Sequence, residues 1–341
     1  MVYVKIVKTD FKFEMEEQKL NFKKAFLTIL LIIIVIISGI ILFNSGYTKT
    51  QNSSKVQVVA SNFASYDFLR AIIGDNENIQ LTFLLGAGKD THSYDPTAQD
   101  LITIQNADLF VYIGGETENW SERVLGSLDD KNGKIICIAD YVETIEEQEI
   151  DGVEHEENND EEDGAFDDHI WTSPSNAIAM INALKDAMIE IDSENKENYE
   201  ENAKNYISEI EKVDSQIQEI VDNRVRDRLI FADKMPMQYF IDYYGLQVSA
   251  AFSGCSSDSD PSASTIAYLE DKVKEEEIPV VLYVELNNGM VANIIAEEAE
   301  NGCEALQIQA LHNVSLDDFN NGETWVSLMT KNIDVLRKAL L

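Results

Sequence analysis

The feature that most constrains the fold is an alternation of short apolar runs with segments of helical periodicity, which begins at Val56. The runs are VQVVA, IQLTFLL, DLFVYIG and KIICIAD in the first half of this region, and RLIFAD, LQVSAAF, VVLYVEL and ALQIQAL in the second. Such an alternation is typical of βαβ units, in which helices cover a parallel sheet. We therefore predict an α/β fold with two lobes, each built on a parallel sheet flanked by helices.

A segment of different character, residues 195–225, separates the two series of runs. Its apolar residues are spaced by four and three positions, with no glycine or proline among them: Tyr199, Ala203, Tyr206, Ile210, Val213, Ile217 and Ile220. This pattern predicts one amphipathic helix, about 40 Å long at about 1.5 Å per residue. A coiled coil is one interpretation, but a rigid strut between lobes at 56–194 and 226–341 is more economical for a single helix of this type.

The N-terminal part of the chain predicts a membrane segment at residues 25–46. Its uncharged stretch AFLTILLIIIVIISGIILF is long enough to cross a hydrocarbon core. Lysines precede this stretch, so we expect residues 1–24 to be a cytoplasmic tail, 47–55 a linker, and the lobes to lie on the outer face of the cytoplasmic membrane. The length of the stretch and the lack of an A-x-A-like cleavage site favour an uncleaved signal anchor; a cleaved signal peptide would give a secreted protein.

The charge of the chain is extreme, with 62 acidic and 26 basic residues and a formal net charge of −36. Such a chain repels the phosphates of nucleic acids, so cations are its natural partners. The three cysteines, Cys137, Cys255 and Cys303, show no CxxC spacing, which argues against a zinc ribbon or a redox pair. In an exported chain Cys255 can form a disulfide with Cys303, and three unpaired cysteines are the alternative.

Three of the four histidines follow predicted strands, in loops: His92 in DTHSYDP, His169 in DDHIW and His312 in QALHNV. Helix-start signals come soon after the first two, a Thr97–Asp100 capping box and the pair Ser173-Pro174. Parallel sheets bind ligands at the carboxyl ends of their strands, so these histidines can converge on a cleft between the lobes. Because imidazole suits zinc and other late divalent metals, a metal site is the functional interpretation.

The fourth histidine, His155, lies in an acidic segment, residues 146–168, that contains thirteen acidic residues and no basic one. Such a segment repels itself into an extended loop. One interpretation is a solvated surface loop. The other is a weak cation collector that raises the local concentration of metal near His169.

Enzyme motifs are missing from the sequence. It contains no GxSxG, no P-loop and no glycine-rich dinucleotide loop, and GAGKDTHS is a poor match to a phosphate-binding loop. A zinc hydrolase would need an open coordination position and a general base, for which Asp168 or Glu285 is available. Binding without catalysis is the preferred interpretation.

Several motifs together resemble a known family. HSYDPTAQD, DDHIWTSPSNAIAMINAL, YFIDYYGL and GETWVSLMTKNIDVLRKAL look like the substrate-binding proteins of ABC importers for zinc and manganese, in particular the zinc type from Gram-positive bacteria. The resemblance covers essentially all of residues 56–341. It implies two α/β lobes joined by one rigid helix, with a metal ion between them. It also implies a monomer that delivers metal to an ABC permease and its ATPase subunit, without catalysis.

The resemblance also implies the metal ligands. His92 and His169 match the family's first two ligands, and His312 falls about where the family commonly has an aspartate as the fourth. The third, usually a histidine or glutamate, has no equivalent in FADKMPMQYF, where Asp233 is the best oxygen donor and Lys234 is the ungapped counterpart. Three histidines and an acidic loop favour Zn²⁺, with Mn²⁺ as the alternative cargo. A surface adhesin or metal sensor of the same fold is a further alternative.

Overall fold

The computed structural model describes residues 55–89, 91, 93–128, 133–146, 150, 166–252, 261–299 and 302–341. The predicted cytoplasmic tail and membrane segment lie outside these residues, as do His92, His155 and Cys255. No helix in the described part of the chain combines the length and the apolar character that crossing a membrane requires.

The elements before the long helix form the N-terminal lobe. Its four strands are all parallel, in the order β2-β1-β3-β4. The elements are β1 (Val56–Ala60), α1 (Phe63–Ile73), β2 (Ile79–Phe83), α2 (Ala98–Gln105), β3 (Leu109–Tyr112), α3 (Trp120–Ser127), β4 (Lys134–Cys137) and α4 (Pro174–Ile191).

The long helix, α5, runs from Lys196 to Asp222, and the elements after it form the C-terminal lobe. Its four strands are again parallel, in the order β6-β5-β7-β8. The elements are β5 (Arg228–Phe231), α6 (Gln238–Tyr244), β6 (Gln247–Ala250), α7 (Ala263–Glu275), β7 (Val280–Val284), α8 (Met290–Glu298), β8 (Glu304–Ile308), α9 (Leu316–Asn320) and α10 (Trp325–Leu340).

These elements confirm the predicted α/β architecture of two parallel sheets flanked by helices. Each predicted apolar run corresponds to one of the strands in the described residues. Both helix starts are also confirmed, because Thr97 caps α2 through a capping box with Asp100, and Ser173 caps α4 with Pro174 in its first turn. These capping residues therefore fix where the loops before α2 and α4 end.

The face of α5 that the periodicity predicted is the face that is buried. Ile210 on this helix belongs to the same continuous apolar core as Val58 in the N-terminal sheet and Leu282 in the C-terminal sheet. The two lobes therefore share one core along the helix, which opposes large movements between them because protein cores are close-packed.

A buried ionic cluster ties three helices together near this core. The carboxylate of Asp67, on α1, accepts hydrogen bonds from Arg70 at 2.5 Å and from the backbone N–H of Trp325, on α10, at 2.7 Å. It also accepts one from the hydroxyl of Tyr206, on α5. Burial raises the pKa of Asp67, although Arg70 acts in the opposite direction. The cluster joins the first helix of the N-terminal lobe, the long helix and the last helix of the C-terminal lobe.

Candidate metal centre

Two of the predicted histidines, one from each lobe, lie next to each other in the structure. The rings of His169 and His312 have centroids 5.2 Å apart, with 41° between their planes. His169 follows the acidic segment that begins after β4, and His312 follows β8. The sequence brings them together because the carboxyl ends of parallel strands share one edge of a sheet and the two such edges face each other here.

His169 is held by its own loop. It is 4% exposed, and one oxygen of Asp167 accepts hydrogen bonds from its backbone N–H and from its ring Nδ1, both at 2.8 Å. A proton on Nδ1 that is donated to Asp167 leaves the lone pair of the imidazole on Nε2. Metal-binding histidines commonly donate their second ring nitrogen to a carboxylate in this way.

A second carboxylate lies on the same side of the ring. Asp168 is 3.4 Å from Nδ1 of His169 and accepts the backbone N–H of Thr117 at 2.9 Å. Ligand atoms of Asp167, Asp168 and His169 all lie within 4.8 Å of one another, and the three side chains are buried. Burial raises the pKa of Asp168, because the charged carboxylate loses its water.

Nearby, Glu118 is 8% exposed and accepts the backbone N–H groups of Ile113, at 2.6 Å, and Gly114, at 3.2 Å. Burial raises its pKa to about 7 despite these hydrogen bonds, and the neighbouring Asp168 contributes to the rise. The N-terminal side of the site is therefore rich in buried acidic groups, a setting that favours cations.

The acidic segment begins and ends beside this site. Glu146 and Phe166 form an isolated antiparallel bridge, and the carbonyl of Ile145 accepts the N–H of Asp167 at 3.0 Å. Residues 147–149 and 151–165, which contain His155, lie outside the described residues. The two ends of the segment thus meet within a few residues of His169.

On the C-terminal side, His312 has contacts with both lobes. The hydroxyl of Thr91, from the loop after β2, forms a hydrogen bond with Nε2 of His312. The same loop contacts the residues that follow His312, because the N–H of Gly88 donates to the carbonyl of Val314 at 2.8 Å. His92 follows Thr91 in sequence, but it lies outside the described residues.

Glu285 is a site residue that sequence reasoning considered only as a general base. It lies directly after β7 and is 9% exposed, and its carboxylate accepts the backbone N–H groups of Ala310 and His312, both at 2.7 Å. Burial raises its pKa to about 7. The signal that could have found it is the one used for the histidines, a polar residue at the carboxyl end of a buried strand.

Asp233, the predicted oxygen ligand, lies just after β5 and is 8% exposed. Within the described part of the chain, its Oδ2 atom is buried and has no hydrogen-bond partner. Burial raises the pKa of this carboxyl, while Lys234, Val284 and Asn287 interact with it in the opposite sense. The structure thus places Asp233 beside the loop after β7, which also contains Glu285.

Together these groups offer two imidazoles from opposite lobes and several buried carboxylates. Such a mixed nitrogen and oxygen set suits zinc, with harder metals favoured as the share of oxygen increases.

Of the predicted cysteine pair, Cys303 is half-buried and Cys255 lies outside the described residues, so the disulfide stays a prediction.

Comparison with known proteins places this geometry in context. The family described as zinc-uptake complex component A, periplasmic (ZnuA), matches residues 58–339. The zinc-binding lipoprotein AdcA of Streptococcus pneumoniae is 29% identical over 290 residues, which are 85% of this chain and 57% of AdcA, so the chain spans little more than half of that relative. The high-affinity zinc uptake system protein ZnuA of Bacillus subtilis is 26% identical over 301 residues, 87% of this chain and 92% of that protein.

Among solved structures, the Zn(II)-bound ZnuA-like domain of Streptococcus pneumoniae AdcA is similar, with a TM-score of 0.69 and 28% sequence identity. The match covers 84% of this chain and 99% of that domain. The similarity therefore extends over both lobes and the helix between them.

Proposed function

The chain belongs to the family of zinc-uptake complex component A, and from this premise we propose that it is a receptor that captures Zn²⁺ and delivers it to an ABC importer. The family is one of metal-uptake receptors rather than of enzymes, so binding without catalysis is part of the proposal. The metal is the cargo of the protein.

The observation that carries this proposal is the pairing of His169 with His312. Two imidazoles from lobes that are distant in sequence lie with ring centroids 5.2 Å apart. Buried Asp167 accepts a hydrogen bond from the ring of His169, and buried Glu285 accepts one from the backbone N–H of His312. Nitrogen ligands bind zinc at about 2.0–2.1 Å, so modest ring movements bring both to one ion. Orientation by a carboxylate raises the basicity of a histidine ligand.

The proposed ligand set is His92, His169 and His312, with an oxygen from Asp233 as the fourth ligand. Glu285 is the competing oxygen donor, since it already contacts the backbone of His312. The two buried acids make Mn²⁺ the second candidate cargo, because manganese prefers carboxylate ligands. The acidic segment, whose ends meet beside His169, is proposed to gather cations around the site.

The setting of the receptor is also part of the proposal. We place the lobes, residues 56–194 and 226–341, on the outer face of the cytoplasmic membrane, anchored by residues 25–46. The partners are an ABC permease and its ATPase subunit, and the protein acts as a monomer. An adhesin or sensor would bind metal equally well, so loss of growth under zinc limitation on gene deletion distinguishes a transport receptor from these alternatives.

The binding test is a titration of the full-length chain in detergent with Zn²⁺ against a competing chelator. Substitution His169→Ala or His312→Ala removes a nitrogen that is proposed to bind the metal directly, and we expect each to weaken zinc binding by at least about 100-fold. His155→Ala is the control, because His155 is proposed to lie outside the shell. Equal losses in all three variants, or none in the first two, would contradict the ligand assignment.

A competition experiment compares the binding of the two candidate metals, Zn²⁺ and Mn²⁺. Zn²⁺ should displace Mn²⁺ from the wild-type protein, as the general order of metal affinities predicts. Retention of Mn²⁺ against an equal concentration of Zn²⁺ would identify the alternative cargo.

A further inference from the structure

We propose that Trp171 is a positioning residue that reaches from the N-terminal lobe and holds the His312 loop in its metal-binding conformation. The inference rests on the proposed function, since it gives a role to a residue that supports the two halves of that site. Trp171 would not itself bind the metal.

The contacts of Trp171 connect both ligand loops. Its side chain is 4% exposed, and its indole Nε1–H donates to the carbonyl of Ala310 at 2.9 Å. Trp171 follows His169 by two residues, and Ala310 precedes His312 by two. This single buried hydrogen bond therefore joins the chain next to one proposed ligand to the chain next to the other.

The loop that receives this bond is strained. Leu311, between Ala310 and His312, is fully buried and has φ = 57°, a left-handed conformation that a leucine rarely adopts. Such a conformation persists only where the surroundings impose it, and strain of this kind clusters at ligand-binding sites.

Three hydrogen bonds on the residues flanking Leu311 hold it in this left-handed conformation. Glu285 accepts the N–H groups of Ala310 and His312 from within the C-terminal lobe, and Trp171 donates to the carbonyl of Ala310 from the opposite lobe. The carbonyl of the peptide bond between Ala310 and Leu311 is therefore held by a donor from the N-terminal lobe. Without the indole N–H, this peptide can rotate and relieve the strain, and His312 moves with it.

A further hydrogen bond fixes the backbone of Trp171. The indole Nε1–H of Trp325, at the start of α10, donates to the carbonyl of Trp171 at 2.9 Å. The backbone of Trp325 is in turn bound to Asp67 at 2.7 Å. The tie between the two ligand loops is thus anchored in the cluster that joins the three helices.

The test replaces the indole with a ring that cannot donate, Trp171→Phe, in the full-length chain. We expect zinc to dissociate about tenfold faster, the lower end of the usual loss when an outer partner of a metal ligand is removed. The visible absorption of the Co²⁺-loaded protein should also change, because it reports ligand geometry, which a general loss of stability does not alter. Tyr199→Phe is the matched control, because it also removes a buried hydrogen-bond donor, the hydroxyl that donates to Asp192 at 2.6 Å at the far end of α4.

A second measurement does not depend on the variant folding. In the wild-type protein, the indole N–H of Trp171 should exchange slowly with solvent, and more slowly still once Zn²⁺ is bound. Faster zinc release and a changed Co²⁺ spectrum in Trp171→Phe but not in Tyr199→Phe support the inference, as does slower indole exchange on zinc binding. An unchanged release rate and spectrum in Trp171→Phe, or indole exchange that zinc does not affect, would overturn it. If the wild-type protein binds no zinc, the proposed function fails and this inference falls with it; zinc binding with unchanged behaviour of Trp171→Phe overturns the inference alone.

Discussion

The carboxylate of Asp167 offers a test of how the imidazole of His169 is oriented for metal binding. The substitution Asp167→Asn keeps the size of the side chain and one oxygen, but it removes the negative charge. In the wild-type protein this oxygen accepts both the Nδ1–H and the backbone N–H of His169 at 2.8 Å. The side chain of Asp167 is only 2% exposed and that of His169 only 5%. The asparagine can still make both bonds, so the fold of the loop should survive.

The expected magnitude follows from the strength of these bonds. A hydrogen bond to a charged group contributes about 1.5–3 kcal/mol, against about 0.5–1.5 kcal/mol for a neutral pair. When a divalent metal binds Nε2, the imidazole becomes a stronger donor, so the lost charge weakens the metal-bound state more than the free state. A difference of about 1.4 kcal/mol corresponds to about tenfold weaker zinc binding.

The assay is the chelator competition with the full-length chain, together with chemical denaturation to confirm folding. The matched control is Asp192→Asn, which changes a hydrogen-bonded acid that contacts Tyr199 at 2.6 Å. It lies at the far end of α4, about 27 Å from the site at about 1.5 Å per residue. Zinc affinity of Asp167→Asn within twofold of the wild type would refute the role of Asp167. An equal loss in the control would show that the effect is not local.

Two further predictions concern stability. Glu118 keeps its proton to about pH 7 in the folded protein but loses it near 4.5 when unfolded, so the free energy of unfolding should fall by up to about 3 kcal/mol as the pH rises between these values. Glu118→Gln should reduce the slope in denaturation curves recorded from pH 4 to 8 and leave the similar contribution of Glu285, whose pKa burial also raises to about 7. An unchanged slope would contradict the assignment. Asp67→Ala leaves the buried donors of Tyr206 and Trp325 without an acceptor, and should lower the free energy of unfolding by about 2–4 kcal/mol in urea. The exposed Asp186→Ala is its control, with a change expected within about 0.5 kcal/mol, and a similarly small effect for Asp67→Ala would show that the cluster contributes little.

The fold could be predicted from the sequence because its signals are local. Apolar runs such as VVLYV and the capping residues Thr97 and Ser173 act within a few positions of one another, and they mark the strands and helix starts without reference to the rest of the chain. The buried face of α5 follows in the same way from its spacing. Strand-end positions then indicated His169 and His312 as neighbours at a cleft.

The supporting groups could not be predicted, since they depend on how distant segments meet. Nothing in the spacing of Glu285 and His312 shows that the acid holds the backbone beside the histidine, and the strain at Leu311 has no sequence signal. The bond from Trp171 to Ala310 crosses 139 positions of sequence between two lobes. His92 lies outside the described residues, so its part in the site stays a prediction.

The most direct test of the metal site is anomalous diffraction from crystals of the protein grown with Zn²⁺. The account predicts one strong zinc peak between the lobes, with ring nitrogens of His169 and His312 at about 2.0–2.1 Å. Oxygen from Asp233 or Glu285 should complete the shell together with His92. A zinc peak bound to neither His169 nor His312, or no zinc between the lobes, would contradict the central claim.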